Sequence, residues 1–289
     1  MPLRRYAAFL ALLLVACSHG GGQRAAGPLR IVATTPTLAS LARGAAGDGP
    51  SIVSLVPIGA SPEDYQPTPQ DIAALRDADV LVENGANLEG WLQATLTNAG
   101  DPNLRIVVCT DGLPVVNGNP HLWMDPVYAQ HYVDKVRDAL VLADPAHAAD
   151  YRANAAAYDK QLVALTARIR GKIATIPPRR RAMIVFHDAF DYYARRFGLR
   201  IVGAIEPVAG AEPNPAHIAD IIREARAIHV PAVFAEHEYS DKLARTLAAS
   251  LGGVKIAFLY DDSLGAEPAV QTYIGMLDVD TDTIVQSLR

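Results

Sequence analysis

The sequence contains very little cysteine: among its 289 residues only Cys17 and Cys109 carry a thiol. A disulfide scaffold needs several cysteine pairs, so this fold class is excluded. Cys109 ends an apolar run, residues 105–109, and is expected to be a small buried residue rather than a nucleophile. Neither an internal disulfide nor thiol catalysis is therefore expected.

Basic clusters, long apolar runs and common hydrolase motifs are also missing. The net charge is −5, and residues 179–181 form the one short basic run, which argues against a nucleic-acid partner. After the first 17 residues, no apolar stretch is long enough to cross a bilayer. Neither His-Glu-x-x-His nor Gly-x-Ser-x-Gly occurs, so the usual signatures of zinc proteases and serine hydrolases are lacking.

Residues 1–17 have the pattern of a targeting segment. Arg4 and Arg5 precede an apolar run, residues 7–15, that is too short to span a bilayer. Residues 14–17, Leu-Val-Ala-Cys, resemble the bacterial lipobox, in which cleavage precedes a cysteine that is then lipidated. A plain secretory signal cleaved at the same place is the alternative. Residues 18–27 are polar and glycine-rich, as in a flexible tether. We expect an extracytoplasmic protein, anchored by a lipid on Cys17 to the periplasmic or cell-surface side of a bacterial membrane.

The longest helical signal lies in the middle of the chain, at residues 144–176. Asp144 and Pro145 suit a helix start, strong helix formers fill the run, and Pro177 and Pro178 end it. About 30 helical residues span roughly 45 Å, which is more than a small lobe requires. We interpret this run as a rigid strut between two lobes; a long surface helix on one domain is the alternative.

On both sides of the strut, short strands alternate with helices. Before it, strands are predicted at 29–33, 51–56, 79–83 and 104–109, and helices at 37–46, 70–76 and 88–99. After it, strands are predicted at 181–186, 200–205, 232–235 and 255–259, and helices at 189–197, 216–228, 241–251 and 266–288. This alternation predicts an α/β fold with two similar lobes, each with a parallel β-sheet flanked by helices, joined by one long rigid helix.

The same pattern predicts the division of the chain. We expect a signal peptide at 1–17, a tether at 18–27, an N-terminal lobe at 28–126, a linking region with the long helix at 127–178 and a C-terminal lobe at 179–289.

Metal-binding side chains follow several of the predicted strands. Ligands of open α/β sheets bind beyond the carboxyl ends of the strands, and imidazole and carboxylate are the usual ligands of Zn²⁺, Mn²⁺ and Fe²⁺. The side chains at these ends are Glu63, Asp64, His121, His187, Asp261 and Asp262. Their position predicts one site for a divalent transition metal, with ligands from both halves of the chain.

Four motifs place these residues in a familiar pattern. Residues 59–69 are similar to Gly-x-x-Pro-His-x-Tyr-x-Pro-x-Pro, 119–126 match Asn-Pro-His-x-Trp-x-Asp-Pro, and 186–190 and 259–264 resemble two further ligand motifs. The chain thereby resembles the metal-binding lipoproteins (solute-binding proteins of cluster A-I, or cluster 9) of bacterial ABC importers for zinc, manganese and iron. The resemblance covers essentially the whole chain after the signal.

Carried over residue by residue, the resemblance implies that His121, His187 and Asp262 are metal ligands. Glu63 stands where the family usually has histidine, and its carboxylate could still bind an ion. Asp64 is the alternative at this position. Two nitrogens with two carboxylates are a harder ligand set than three nitrogens with one, which favours Mn²⁺ or Fe²⁺, although affinity order alone favours Zn²⁺. The His-rich insertion of zinc-specific members is absent.

Other charged residues near these positions are candidates for supporting roles or for a second metal site. Asp125 and Asp188 stand close to the two histidines in sequence and are predicted to orient them by hydrogen bonds, with solvent-facing charges as the alternative. Residues 236–238, Glu-His-Glu, end a predicted strand and are a weaker alternative metal site.

The resemblance implies a monomeric solute-binding protein, not an enzyme, that captures one Mn²⁺, Zn²⁺ or Fe²⁺ ion between two lobes. It would deliver the ion to the permease of an ABC transporter. Because coordinating histidines must be neutral, affinity is expected to fall below about pH 6.5. A metal-dependent hydrolase and a metal-binding adhesin are the alternatives.

Overall fold

The computed structural model describes residues 27–206 and 214–289. The predicted signal peptide with Cys17, and residues 18–26 of the predicted tether, lie outside the described residues. So do residues 207–213, which belong to the polar loop after the sixth strand.

The first sheet has four parallel strands. They are β1 (Arg30–Ala33), β2 (Ser51–Ser54), β3 (Val80–Glu83) and β4 (Arg105–Val108), in the order β2-β1-β3-β4. Helices α1 (Pro36–Ala46), α2 (Pro69–Asp77) and α3 (Leu92–Ala99) connect them. Thr35 and Thr68 cap α1 and α2 by accepting a hydrogen bond from a backbone N–H of the first turn, with proline next in the chain.

The second sheet repeats this arrangement. Its strands are β5 (Ala182–Val185), β6 (Arg200–Ala204), β7 (Ala232–Glu236) and β8 (Lys255–Leu259), parallel and in the order β6-β5-β7-β8. Its helices are α6 (Asp191–Phe197), α7 (Pro215–Ile228), α8 (Lys242–Ser250) and α9 (Tyr273–Leu288). In both sheets the first strand lies between the second and the third, so the two lobes have the same strand order. The predicted fold class is confirmed.

Two long helices, α4 (Pro126–Ala143) and α5 (Ala148–Ala174), lie between the sheets in sequence. The predicted long helix is present as α5, but a 3-10 turn, Pro145–His147, precedes it, so the α-helix begins at Ala148 rather than at Asp144. Its 27 residues span roughly 40 Å.

Helix α5 is bound to both lobes. It packs against α1 and α4 and also against α9, the last helix of the second lobe. At its first half, Asn154 donates a hydrogen bond to the carbonyl of Ala46 at the end of α1. At its second half, Arg168 pairs with Asp278 of α9 at 2.7 Å. One hydrophobic core runs through both lobes and includes the buried face of α5. The helix therefore joins the lobes, as predicted.

Two helices begin later than their sequence pattern predicts. Before α3, the chain passes through the left-handed region at Gly85, Ala86 and Asn87, with φ of 82°, 51° and 66°. Before α9, a 3-10 turn forms at Pro268–Val270, and the Thr272 side chain then caps the helix. Local turns therefore take the first residues of both predicted helices. In the described part of the chain, no helix is both long and apolar enough to span a membrane.

Breaking α5 should disturb both lobes at once. Leu162 is fully buried in the middle of α5. Leu162→Pro should cost about 3 kcal/mol or more, and Leu162→Ala about 2–5 kcal/mol, as measured by denaturant unfolding. Because α5 holds the spacing of the lobes, metal affinity should fall in any variant that still folds. Val163 is 57% exposed, so Val163→Ala should change stability by less than about 0.5 kcal/mol. Unchanged stability and metal affinity in both Leu162 variants would contradict the strut.

Candidate metal centre

The carboxyl ends of the two sheets bring four of the predicted side chains together. The Nε2 atoms of His121 and His187 are 3.0 Å apart. Asp262 Oδ1 lies 3.3 Å from His121 Nε2, and Asp262 Oδ2 lies 3.8 Å from His187 Nε2. Glu63 Oε1 lies 3.7 Å from His121 Nε2. Atoms that bind one ion tetrahedrally at about 2.1 Å are about 3.4 Å apart, so these four distances are in the range expected for ligands of one ion. One ligand atom each of Glu63, His121 and His187 lies within 4.8 Å of the others, and Asp262 contacts both histidines.

Buried carboxylate oxygens in this cluster lack hydrogen-bond partners within the described structure. Both oxygens of Asp262 and Oε2 of Glu63 are of this kind. An ionised oxygen that is removed from water without a partner is unfavourable, and a cation would satisfy it. The donor set therefore fits a divalent ion, and Asp262 and Glu63 supply the charges that balance it.

Glu63 is the most accessible of the four side chains. Its side chain is 17% exposed, whereas those of His121, His187 and Asp262 are at most 4% exposed. A cleft of about 400 Å³ lies beside Glu63 and both histidines. Asp64 also lines this cleft but is exposed. An ion that arrives through the cleft therefore meets Glu63 first.

His187 is oriented by Glu236, the last residue of β7. Glu236 Oε2 is 2.7 Å from His187 Nδ1, and Oε1 accepts from the His187 backbone N–H at 3.1 Å. Both residues are buried. A carboxylate on Nδ1 keeps hydrogen on that nitrogen and turns Nε2 toward the cluster. Glu236 therefore orients this histidine, whereas sequence reasoning considered residues 236–238 only as a weak metal site.

Asp125 and Asp188, which were predicted to orient the two histidines, form their hydrogen bonds with other groups in the structure. Asp125 caps α4 through the Val127 N–H and forms a two-oxygen ion pair with Arg196 of α6. The Asp188 carboxylate accepts from the Asn119 amide. The group on His121 Nδ1 is Asn119 Oδ1, at 2.8 Å. Aspartates that are neighbours of the histidines in sequence thus point elsewhere, because the side-chain directions of the loops, and not sequence distance, determine the contacts.

The charges in the cluster shift the ionisation of its members. Burial raises the pKa of Glu63, and the nearby Asp262 raises it further. Burial also opposes ionisation of Asp262, but the two imidazoles outweigh it and lower the pKa of this carboxyl. Burial opposes the charge on His187 as well; here the Glu236 carboxylate prevails and raises the pKa of His187 to about 10.

The two imidazoles face each other through their Nε2 atoms, which are 3.0 Å apart. Two Nε2 lone pairs at this distance would repel each other unless a proton or a cation lay between them. The geometry therefore directs both rings toward the point where a divalent ion would bind.

Comparisons with known proteins identify the family to which this chain is similar. Residues 31–287 match the family described as zinc-uptake complex component A, periplasmic. The iron-binding protein YfeA of Yersinia pestis is 35% identical over 89% of this chain and 85% of its own. The manganese-binding lipoprotein MntA of Halalkalibacterium halodurans is 34% identical, over 90% of this chain and 88% of its own.

Solved structures of similar proteins have the same fold. The periplasmic zinc-binding protein TroA of Treponema pallidum superposes with a TM-score of 0.83 at 25% identity, covering 91% of this chain and 99% of TroA. A cadmium-bound periplasmic metal-binding protein of candidatus Liberibacter asiaticus has a TM-score of 0.83 and 25% identity, over 90% of this chain and all of the other.

Metal affinity should depend on pH well above the ordinary histidine range. An ion can bind His187 only after this ring loses its Nε2 proton, and the pKa of His187 is raised to about 10. Below that pH, affinity should therefore rise with pH by up to about tenfold per unit. The measurement is Mn²⁺ titration calorimetry between about pH 6.5 and 8 in buffers of different ionisation enthalpy, which counts released protons.

Glu236→Gln is the matched control, because it keeps an oxygen for His187 Nδ1 but removes the charge that raises the His187 pKa. Its pH dependence should move to lower pH. If the wild-type affinity were constant from about pH 7 to 8 and fell only below about pH 6.5, His187 would have its ordinary pKa, as the sequence alone led us to expect.

Proposed function

The chain belongs to the family of periplasmic zinc-uptake complex component A proteins, and from this premise we propose that it is an extracytoplasmic solute-binding protein. It captures one divalent transition-metal ion, Mn²⁺, Zn²⁺ or Fe²⁺, between its two lobes and delivers the ion to the permease of an ABC-type importer. Relatives named as iron- and manganese-binding proteins, and as substrate-binding lipoproteins of metal ABC transporters, support this proposal.

One observation supports the proposal: buried or half-buried side chains that can bind a metal, drawn from both lobes, lie close together. The ligands we propose are Glu63, His121, His187 and Asp262. A catalytic metal site usually keeps one position open for water and places a base beside it. Here we propose that four donors from the chain fill the coordination shell. Binding without turnover is therefore the function that this geometry supports, and a hydrolase has no comparable support.

Glu63 gives the proposed site two nitrogen and two carboxylate donors. Replacing an imidazole ligand by a carboxylate favours Mn²⁺ and Fe²⁺ over Zn²⁺. The relatives at 34–35% identity are named for manganese and iron, which supports the same preference. We therefore infer that Mn²⁺ or Fe²⁺, rather than Zn²⁺, is the transported ion.

Release is proposed to proceed by small shifts of the lobes and by loop opening when the protein docks on its permease. Helix α5 and the core that continues through both lobes oppose a wide hinge motion. The division into lobes at 28–126 and 179–289, with a linking region at 127–178, is part of this proposal. The protein is proposed to act as a monomer.

Membrane attachment is proposed to depend on Cys17. This residue lies outside the described residues, and the proposal rests on the resemblance of residues 14–17 to a lipobox. Relatives named as lipoproteins, MntA among them, support it.

The ligand role of Glu63 can be tested by substitution. Loss of a residue that only hydrogen-bonds to a metal ligand weakens metal binding by roughly 10- to 100-fold. Glu63→Ala should weaken Mn²⁺ binding by more than this, because it removes a ligand atom and a balancing charge. Glu63→His should move the preference toward Zn²⁺, since imidazole suits zinc better than manganese. Competition titrations with Mn²⁺ and Zn²⁺ would measure both effects.

Asp64→Ala is the matched control, because Asp64 is the neighbouring carboxylate on the same cleft. It should leave affinity almost unchanged. Normal binding in Glu63→Ala together with loss in Asp64→Ala would assign the position to Asp64 instead.

The anchor can be tested in cells. Cys17→Ala should release the protein from membranes into the soluble extracytoplasmic fraction, because a lipid on this residue is the proposed attachment. Fractionation followed by immunoblotting would measure it, with Cys109→Ala as the control that should stay with the membrane. Membrane association of Cys17→Ala would require a different anchor.

A further inference from the structure

Asn119, two residues before His121, uses one amide group to contact both sides of the metal centre. Its Oδ1 accepts from the His121 backbone N–H at 2.9 Å and lies 2.8 Å from His121 Nδ1. Its Nδ2 donates to the main-chain carbonyl of Asp188 at 2.5 Å and to Asp188 Oδ2 at 3.2 Å. Asp188 directly follows His187, so this amide connects one histidine with the neighbour of the other.

Main-chain groups determine which way the Asn119 amide faces. A backbone N–H can only donate and a backbone carbonyl can only accept, so the amide oxygen faces His121 and the nitrogen faces Asp188. An amide oxygen only accepts, and therefore His121 Nδ1 must carry hydrogen. The lone pair for an ion then lies on Nε2, the atom nearest Asp262 and Glu63.

Tyr192 of α6 holds the same loop from its main-chain side. The Tyr192 hydroxyl donates to the carbonyl of Asn119 and accepts from the N–H of Val116, each at 2.9 Å. Tyr192 is 3% exposed and Asn119 is 9% exposed, so little water competes for these bonds. Asn119 follows β4 of the first sheet, whereas Asp188 and Tyr192 follow β5 of the second. These contacts therefore cross between the lobes right beside the candidate ligands.

We propose that Asn119 is a positioning residue for metal capture, and that it makes the ligand geometry of His121 depend on contact between the lobes. While Asp188 and Tyr192 hold Asn119, its amide keeps the His121 ring in the metal-binding tautomer and orientation. When the lobes separate, the bonds to Asp188 and Tyr192 break and the His121 ring is free to turn. Loss of the ion is thereby coupled to lobe separation. This inference rests on the proposed function.

The test measures Mn²⁺ dissociation by a chelator chase, together with the EPR spectrum of the bound ion. Asn119→Ala should speed dissociation by about 10- to 100-fold, the usual effect of losing an outer partner, and should change the spectrum. Tyr192→Phe leaves the contact between Asn119 and His121 intact and removes a contact from the other lobe. It should speed dissociation by about 2- to 10-fold for each of the two hydrogen bonds that the Tyr192 hydroxyl makes.

Matched variants separate positioning from general stability. Tyr128 packs edge-on against Tyr192, so Tyr128→Phe is a control that removes a neighbouring hydroxyl and should leave dissociation unchanged. Asn119→Asp keeps the acceptor for His121 but places a carboxylate against Asp188, so it should speed dissociation. Adding Asp188→Asn restores a donor opposite that carboxylate and should recover part of the loss.

The outcomes distinguish this inference from the proposed function. If the wild-type protein bound no divalent metal, the proposed function would fail. If the wild type bound Mn²⁺ but Asn119→Ala and Tyr192→Phe released it at the wild-type rate with an unchanged spectrum, only the positioning role would be overturned. A lower melting temperature of both variants would not change that conclusion. If Asn119→Ala does not fold, the dissociation rate of Tyr192→Phe alone tests the positioning role.

Discussion

The structure depends on the burial of several carboxylates around two imidazoles. Asp262, Asp261 and Glu236 are almost completely buried together, next to His187. Like charges at such distances in a region without water repel each other strongly unless cations or protons balance them. Burial and the neighbouring Glu236 raise the pKa of Asp261 well above its ordinary value, and His187 keeps a proton. Protons or a divalent ion can supply the positive charge that these buried carboxylates require.

The fold provides the geometry for this balance by using one strand order twice. The first sheet carries Glu63 and His121 in the loops beyond its strands, and the second carries His187, Glu236 and Asp262. Parallel strands place all of these at carboxyl ends, which is where ligands of α/β sheets bind. Hydrogen bonds then connect the loops of the two lobes directly, as from Gly59 to Ser263 Oγ at 2.7 Å. The lobes therefore meet at the binding centre itself.

The two sheets are held rigidly, whereas the loops between the lobes are held by weaker contacts. Helix α5 and the shared core hold the sheets, because buried apolar surface and the ion pairs to α9 would be lost in a wide opening. The polar contacts that cross between the loops are individually weaker, since one hydrogen bond contributes about 1 kcal/mol. Arg196 of α6 also pairs across the lobes with both oxygens of Asp125, and such a charge-assisted pair is stronger than a neutral hydrogen bond. A partner that shifts the loops could alter the centre without unfolding either lobe.

Local sequence pattern determined most of the fold. All eight strands and the long helix were predictable, because each of them depends on a local sequence pattern. The strands are apolar runs between turn residues, and the helix is a run of helix formers that ends at Pro177 and Pro178. The candidate donors were also recognisable, since their motifs are contiguous. The orienting partners were not: Glu236 lies 49 residues from His187, and Arg196 lies 71 residues from Asp125. Only the tertiary structure decided these pairs, because a hydrogen bond depends on where folding places two side chains and not on their distance along the chain.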